Sequence, residues 1–344
     1  MTKPVLFYFV HAHGNGHKAT FAILLPELSK YFQVIALTTN AEVSYDLRRK
    51  HEVLVLELPA KYPDGYEIPE HTFSKAFEVT PYAIEPALRG KAVAEMIVKY
   101  RPKAFYCDGV PEIAILFRAM GIPVVLVHLH GQFLNDPTRV FAYELADHIV
   151  AHFPVFIEQS DYPYLAKTYY SGYLSKYHNL HTQHISTEHI DNIAILMGYD
   201  NYDEVLLKNI TCAENIQFTI IGNKKTYNLG ENCIQLGMVD DISACIKGNV
   251  VISAAGQNTI AELFSLGKRL ILLPEPRPYH EQYVHASILK EKGFALLAHE
   301  DFSCNEWKKI IKKISAFPVD SSKLISYPSA QNVALQMKKW YAGL

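Results

Sequence analysis

This sequence predicts two α/β domains, each a parallel sheet doubly wound by helices. Short apolar runs rich in β-branched or aromatic residues alternate with segments of helical period, and the alternation runs twice along the chain. A weakly periodic stretch rich in Tyr, His and Ser, from Pro154 to about His189, parts the two series. Size is the third observation. A chain of 344 residues, 49% apolar and 20% charged, suits two domains with separate cores and excludes a disordered or fibrous protein.

The first series runs Val5–Val10, Gln33–Thr38, Val53–Leu58, Ala104–Cys107, Val124–His128 and His148–Phe153. Helical spacing between these strands is clearest at Phe21, Leu24, Leu25 and Leu28, where Pro26 is expected to kink the helix, and at Ile113, Leu116 and Phe117. The second series runs Ile193–Met197, Gln217–Ile221, Cys233–Leu236, Val250–Ser253, Arg269–Leu273 and Phe294–Leu297, with helices expected in between. The domains are set at residues 1–165 and 166–327. Sheets wound this way bind ligands at the carboxyl ends of their strands, so the site is expected in a cleft between two facing domains.

A formal net charge of −2 gives no field that would draw nucleic acid or an anionic membrane. Cys107, Cys212, Cys233, Cys245 and Cys304 are scattered without a Cys-x-x-Cys pair, which suits reduced, buried thiols in a reducing compartment. The run Val5–Val10 is too short for a secretory leader, and no apolar run reaches about 18 residues. A cytoplasmic protein is expected.

The stretch Ala254-Ala255-Gly256-Gln257-Asn258-Thr259-Ile260-Ala261-Glu262 leaves the Val250–Ser253 strand and opens a helix that Gly267 can close. Small residues at such a turn let the backbone approach a phosphate, and the helix start supplies N–H groups and partial positive charge. Asn258 and Glu262 share one face with Thr259 beside them, while Ile260, Leu263 and Phe264 point to a core. That face could hold a diphosphate at its start and a ribose one turn later. An ordinary α/β helix with a polar outer face carries the same pattern.

The first strand-to-helix turn reads His11-Ala12-His13-Gly14-Asn15-Gly16-His17. Two glycines make it tight and put His17 at a helix start, where the dipole favours the neutral imidazole that a general base needs. His11 and His13 are less well placed, and an anion-binding turn is the alternative. Asp108 ends the strand Ala104–Cys107, from which a carboxylate could reach His17 and hold its tautomer. A plain turn or helix-capping aspartate is the rival reading.

Farther along, prolines stiffen Pro274-Glu275-Pro276-Arg277-Pro278, and Glu281-Gln282 begin the next helix. A carboxylate beside an amide clamps sugar hydroxyls well, because hydroxyls both donate and accept; the pair could equally satisfy helix-start N–H groups. His178, His181, His184 and His189 have no Cys, Asp or Glu at matching spacing, so they read as a solvated linker and no metal site is expected. The stretch Pro59–Pro86 carries Tyr62, Tyr66, Phe73, Phe77 and Tyr82, a long loop of the kind that covers a substrate or packs on its own aromatics.

In this order the pieces resemble the nucleotide-sugar glycosyltransferases built from two Rossmann-like domains, the GT-B architecture. The likeness is to the branch holding the peptidoglycan N-acetylglucosaminyltransferase and the UDP-sugar transferases. The donor motif Gly-x-Asn-[Ser/Thr]-x-x-Glu is matched by Gly256, Asn258, Thr259 and Glu262. By this resemblance Ala255, Gly256, Gln257, Asn258 and Thr259 surround the diphosphate, Glu262 takes the ribose hydroxyls, and Glu281-Gln282 grip the transferred sugar. Gly16-His17 is similar to the family's Gly-His base, and Asp108 to its aspartate ahead of Ala119-Met120-Gly121-Ile122-Pro123. Gly237-Met238-Val239 is similar to the loop whose backbone reads the base, and Gly198 lies on the loop after the second domain's first strand. Ala254 departs from the histidine that many members carry, which shifts phosphate binding towards backbone N–H groups. A last helix within 328–344 packs back on the first domain in this family.

The reading these residues imply is an inverting, metal-independent transfer of a sugar from a UDP-linked donor, with no cofactor beyond that co-substrate. His17 is the expected base, Asp108 its orienting acid, and His13, Gly14, Asn15 and Gly16 are expected to line the acceptor. The acceptor is a hydroxyl of a glycan, a lipid-linked sugar or a small molecule, and the 59–86 loop leaves room for peripheral membrane contact. Nucleic acid is not an expected partner. A UDP-sugar 2-epimerase and a non-catalytic nucleotide-sugar binder are the alternatives on the same fold.

Overall fold

The computed structural model describes residues 2–11, 15–178, 180, 190–198, 202–318, 321–325 and 328–343. The chain divides into two compact units. One comprises Met1–Pro154, Ser160–Leu174 and Pro328–Leu344, and the other Val155–Gln159 and Ser175–Tyr327.

Among the described residues the first unit holds seven parallel strands: β1 (Val5–Phe9), β2 (Gln33–Thr38), β3 (Leu54–Glu57), β4 (Ala104–Cys107), β5 (Val124–His128), β6 (His148–Ala151) and β7 (Thr168–Tyr170). Their order is β3-β2-β1-β4-β5-β6-β7, so the chain reverses its direction of travel between β1 and β4. Such a switch point is where an α/β sheet opens to a ligand. β7 was not expected; it lies in the weakly periodic stretch after Pro154, where a three-residue edge strand is too short to show a period.

Helices α1 (Gly16–Leu28), α2 (Ala41–Lys50), α3 (Glu85–Tyr100), α4 (Pro111–Ala119) and α5 (Pro137–Leu145) supply the crossovers. α1 buries Thr20, Phe21, Leu24, Leu25 and Leu28, and it runs unbroken through Pro26, which sits exposed in its last turn. The sheet residues Leu6, Tyr8, Ala36 and Tyr106 pack with α1 in one core at negligible exposure. That core also takes Val333, Ala334, Met337 and Tyr341 from the last helix of the chain (Ser329–Tyr341). That helix therefore belongs to the first unit, and its Trp340 stacks on His148 with ring centroids 3.9 Å apart.

Among the described residues the second unit holds six parallel strands: β8 (Asn192–Leu196), β9 (Gln217–Ile221), β10 (Cys233–Gln235), β11 (Val250–Ser253), β12 (Arg269–Leu272) and β13 (Ala295–Leu297), in the order β10-β9-β8-β11-β12-β13. Helices α6 (Glu204–Ile210), α7 (Gln257–Ser265), α8 (Glu281–Glu291) and α9 (Cys304–Ser315) cover the sheet, and the C-terminal helix is α10. Trp307 of α9 is fully buried against Ile271, Ile311 and Ile314. The expectation of helices between all these strands fails on either side of β10. Residues 222–232 and 236–249 form turns and loops, because Gly222, Asn223, Lys224, Lys225, Asn228 and Gly230 leave no apolar helix face in the first segment.

The expectation of five reduced thiols is also corrected. Cys212, just past α6, and Cys304, at the start of α9, form a disulfide with Cα atoms 5.9 Å apart, while Cys107, Cys233 and Cys245 remain free. Sequence spacing did not reveal it because the partners stand 92 residues apart, one just past α6 and the other at the start of α9. Alkylation of the denatured, unreduced protein is expected to label three cysteines and after reduction five, by intact mass; five labels without reductant would show that the pair is not bonded.

Candidate active site

In the first unit the site begins where β1 hands over to α1. Asn15 occupies the cap position and Gly16 the first helical residue, and no side chain caps this end. His13 and Gly14 lie outside the described residues. His17, one residue into the helix, is partly exposed, and its Nδ1 lies 2.9 Å from Asp108 Oδ2. Asp108 is buried at the carboxyl end of β4. Its Oδ2 makes no well-aligned hydrogen bond among the described residues, so its approach to His17 is a close polar contact. Asp108 does not cap α4: the cap position there is Val110, whose carbonyl accepts from the Cys107 thiol at 3.2 Å.

Two neighbours fix this pair. Gly109 takes φ +91, and a Cβ there would stand 3.3 Å from His17 Cε1, so only glycine gives the backbone conformation and the room. The His11 ring stacks on the His17 ring with centroids 5.2 Å apart, a role its sequence position gave no reason to expect. Behind Asp108 lies a buried polar layer. The Tyr106 hydroxyl meets His152 Nε2 at 2.8 Å, and His152 Nδ1 meets Ser171 Oγ at 3.1 Å. Burial pushes the His152 imidazole down to about 4 and lifts the Tyr8 and Tyr106 phenols, which Asp108 raises further. Asp108 thus faces a layer of neutral groups on one side and His17 on the other.

In the second unit Gly256 is the cap residue of α7, and no side chain caps the helix. No acidic residue occupies its first turn, so the amino end keeps its partial positive charge. Gln257, Asn258 and Thr259 are half-buried there, while Ile260, Ala261, Leu263 and Phe264 enter the core. Gly267 follows at φ +67 and closes the helix in the left-handed conformation. Glu262 sits one turn on, half-buried, and burial raises its carboxyl while Lys176 lowers it.

The loops around this helix end are tied together. Gln282 Oε1 accepts from Ala255 N at 3.2 Å and from Glu275 N at 2.9 Å, and His285 Nδ1 donates to the Ala255 carbonyl at 3.0 Å. Gln282 therefore spends its oxygen on the backbone and offers Nε2, which faces Gly256. Burial holds His285 neutral, down to about 4. Tyr279 and His280 take left-handed backbone (φ 58 and 54) just before Glu281 opens α8 half-buried, strain of the sort that persists where a loop is held in place.

Gly198 ends the β8 segment. Met238, largely exposed, and Val239 follow Gly237, whose N–H donates to Asn223 Oδ1 at 3.0 Å and whose carbonyl accepts from Gly222 N at 2.6 Å. Gly222 has φ +94, and a Cβ there would collide with the Met197 carbonyl, so the turns after β8, β9 and β10 close on one another. Among the described residues no group of three or more His, Cys, Asp or Glu is placed to hold a metal ion; His181, His184 and His189 lie outside them.

Residues 179–339 match the glycosyltransferase family 28 C-terminal domain, and the two parallel-sheet units are similar in fold to GT-B glycosyltransferases. The chain's fold is that of MurG from Acinetobacter baumannii, at a TM-score of 0.71 and 14% identity over 98% of this chain and 100% of that one. The glycosyltransferase of kitacinnamycin superposes at a TM-score of 0.73 with 11% identity over 99% of this chain and 100% of the other. In sequence the chain is similar to the UDP-N-acetylglucosamine–N-acetylmuramyl-(pentapeptide) pyrophosphoryl-undecaprenol N-acetylglucosamine transferases. The match to that of Natranaerobius thermophilus is 39% identical over 27% of this chain and 28% of the relative. To that of Streptococcus mutans it is 27% over 64% and 65%. The chain thus aligns with less than two thirds of the length of these relatives.

His152 and His285 are neutral in the fold but take up protons once it opens, so stability declines as pH falls from the ordinary histidine range near 6.5 towards 4. Each contributes at most about 3 kcal/mol to that decline. The melting temperature is expected to drop steeply between pH 6.5 and 4.5, and His152→Gln or His285→Gln should flatten part of the slope; an unchanged slope in both would refute this account.

Proposed function

We propose that this protein is an inverting, metal-independent glycosyltransferase that moves a sugar from a UDP-linked donor to an acceptor hydroxyl. The observation that carries the reading is the His17–Asp108 contact at the carboxyl edge of the first sheet. His17 Nε2 takes the proton from the acceptor hydroxyl while Asp108 stabilises the imidazolium that forms. The hydroxyl oxygen attacks the anomeric carbon, the bond to the diphosphate oxygen breaks, and one displacement inverts the centre. In the second unit the uncapped start of α7, with Asn258 and Thr259, stabilises the charge that gathers on the departing diphosphate, in place of a metal ion. Glu262 receives the ribose hydroxyls, and Glu281 with Gln282 Nε2 positions the sugar. The relatives' names make UDP-N-acetylglucosamine the first donor to test.

A lipid-linked acceptor is supported by the surface of the first unit. Ile68, Phe73, Phe77, Tyr82 and Ile84 stand exposed on the segment between β3 and α3, with Tyr82 fully exposed. Phe73 and Phe77 adopt left-handed backbone, and Glu78 holds their turn by accepting from the Thr72 and Ser74 amides at 2.8 and 3.1 Å. No helix among the described residues is long and apolar enough to cross a membrane, so contact with a lipid surface would be peripheral.

His17→Ala is expected to lower kcat by about 10²–10⁴-fold while UDP affinity changes by less than about twofold; wild-type turnover in that variant would remove His17 from the chemistry. Glu262→Ala is expected to weaken UDP binding roughly 10- to 100-fold, the loss of a hydrogen-bonded charged partner. Unchanged affinity by calorimetry would rule out the ribose assignment.

A further inference from the structure

Glu262 faces groups from two segments outside its own helix. Lys176 Nζ lies 4.0 Å from Glu262 Oε1, and also 3.5 Å from the Asp240 carbonyl and 4.9 Å from the centre of the Tyr177 ring. From the loop after β10 comes Asp241, whose Oδ1 accepts from the Tyr177 hydroxyl at 2.6 Å, Ser243 N at 2.9 Å and Ser243 Oγ at 2.7 Å. We propose that Lys176 is a positioning residue for donor binding: its ammonium keeps Glu262 a carboxylate, so the ribose hydroxyls meet a charged acceptor through the neutral and mildly acidic range. The inference rests on the reading of α7 as the donor site.

The separation matters. At 4.0 Å the ammonium acts through its charge without a direct hydrogen bond, so the carboxylate's acceptor positions stay open to a ligand. The two acids also differ in their dependence on Lys176. Three donors hold Asp241 down to about 2, so it stays ionised in any case. Burial and the negative charge of Asp241 both push Glu262 towards protonation, and among the described residues Lys176 is the group that opposes them. Without that ammonium Glu262 is the acid that gains a proton, and a neutral carboxyl is a weaker acceptor for a hydroxyl than a carboxylate. Lys176 is half-exposed and enters no core, so its replacement leaves packing intact.

The test is calorimetric titration of UDP into wild type, Lys176→Met, Lys176→Arg and Glu262→Gln from pH 8.5 to 5.5. Each result is read as a ratio to wild type, so that titration of the nucleotide's own phosphate cancels. Lys176→Met is expected near wild type at pH 8.5 and about tenfold or more weaker at pH 5.5, while Lys176→Arg follows wild type throughout. In Glu262→Gln, adding Lys176→Met should produce no further pH dependence. A loss by Lys176→Met that is even across the pH range would mean that the ammonium touches the nucleotide itself, and would overturn the inference; so would no loss at any pH. If wild type does not bind UDP, or Glu262→Gln binds it as tightly as wild type, the donor-site reading fails instead.

Discussion

A parallel strand has one exit. Its next neighbour must start at the same end as itself, so each connection crosses back over the sheet and every outgoing turn collects on a single edge. Both units here consist entirely of parallel pairs, and that constraint places His17, Asp108 and Gly109 together in one and Ala255, Asn258, Glu275 and Gln282 together in the other. The residues are far apart in sequence. They become neighbours because β1 pairs with β4, and β11 with β12, in a register that aligns their carboxyl ends. Helix amino ends arrive at the same edge for the same reason, and the cap residues of α1 and α7, Asn15 and Gly256, make no side-chain capping bond there.

Much of this was legible in the sequence because the strands are continuous apolar runs, the mark of a sheet covered on both faces. Ala104–Cys107 and Val124–His128 announced themselves to the residue. The α7 helix was legible in pattern, though not in its bounds: a glycine at the cap and Gly267 past its end bracket an amphipathic segment. Asp108 could be placed at a strand end by pattern alone, but its choice of His17 over the start of α4 depended on the β1–β4 pairing.

What escaped the reading depends on contacts between distant segments. The Cys212–Cys304 bond and the Lys176–Glu262 approach leave no local trace, since each needs two chain segments brought together by the fold. Gln282 shows the same limit from the other side. Its residue type suits a sugar, yet its oxygen serves two backbone N–H groups, and nothing in the neighbouring sequence distinguishes the two uses. The turns either side of β10 escaped because strand alternation implies a crossover but does not oblige it to be helical.

The double acceptance by Gln282 Oε1, together with the His285 bond, fastens the segment leaving β11 to the segment leaving β12. These two pieces of chain are consequently held together as one unit. A loop exchanged into this position would carry its own partner for Ala255 or lose it. Residues 255–256 and 275–285 must therefore be recombined as a block.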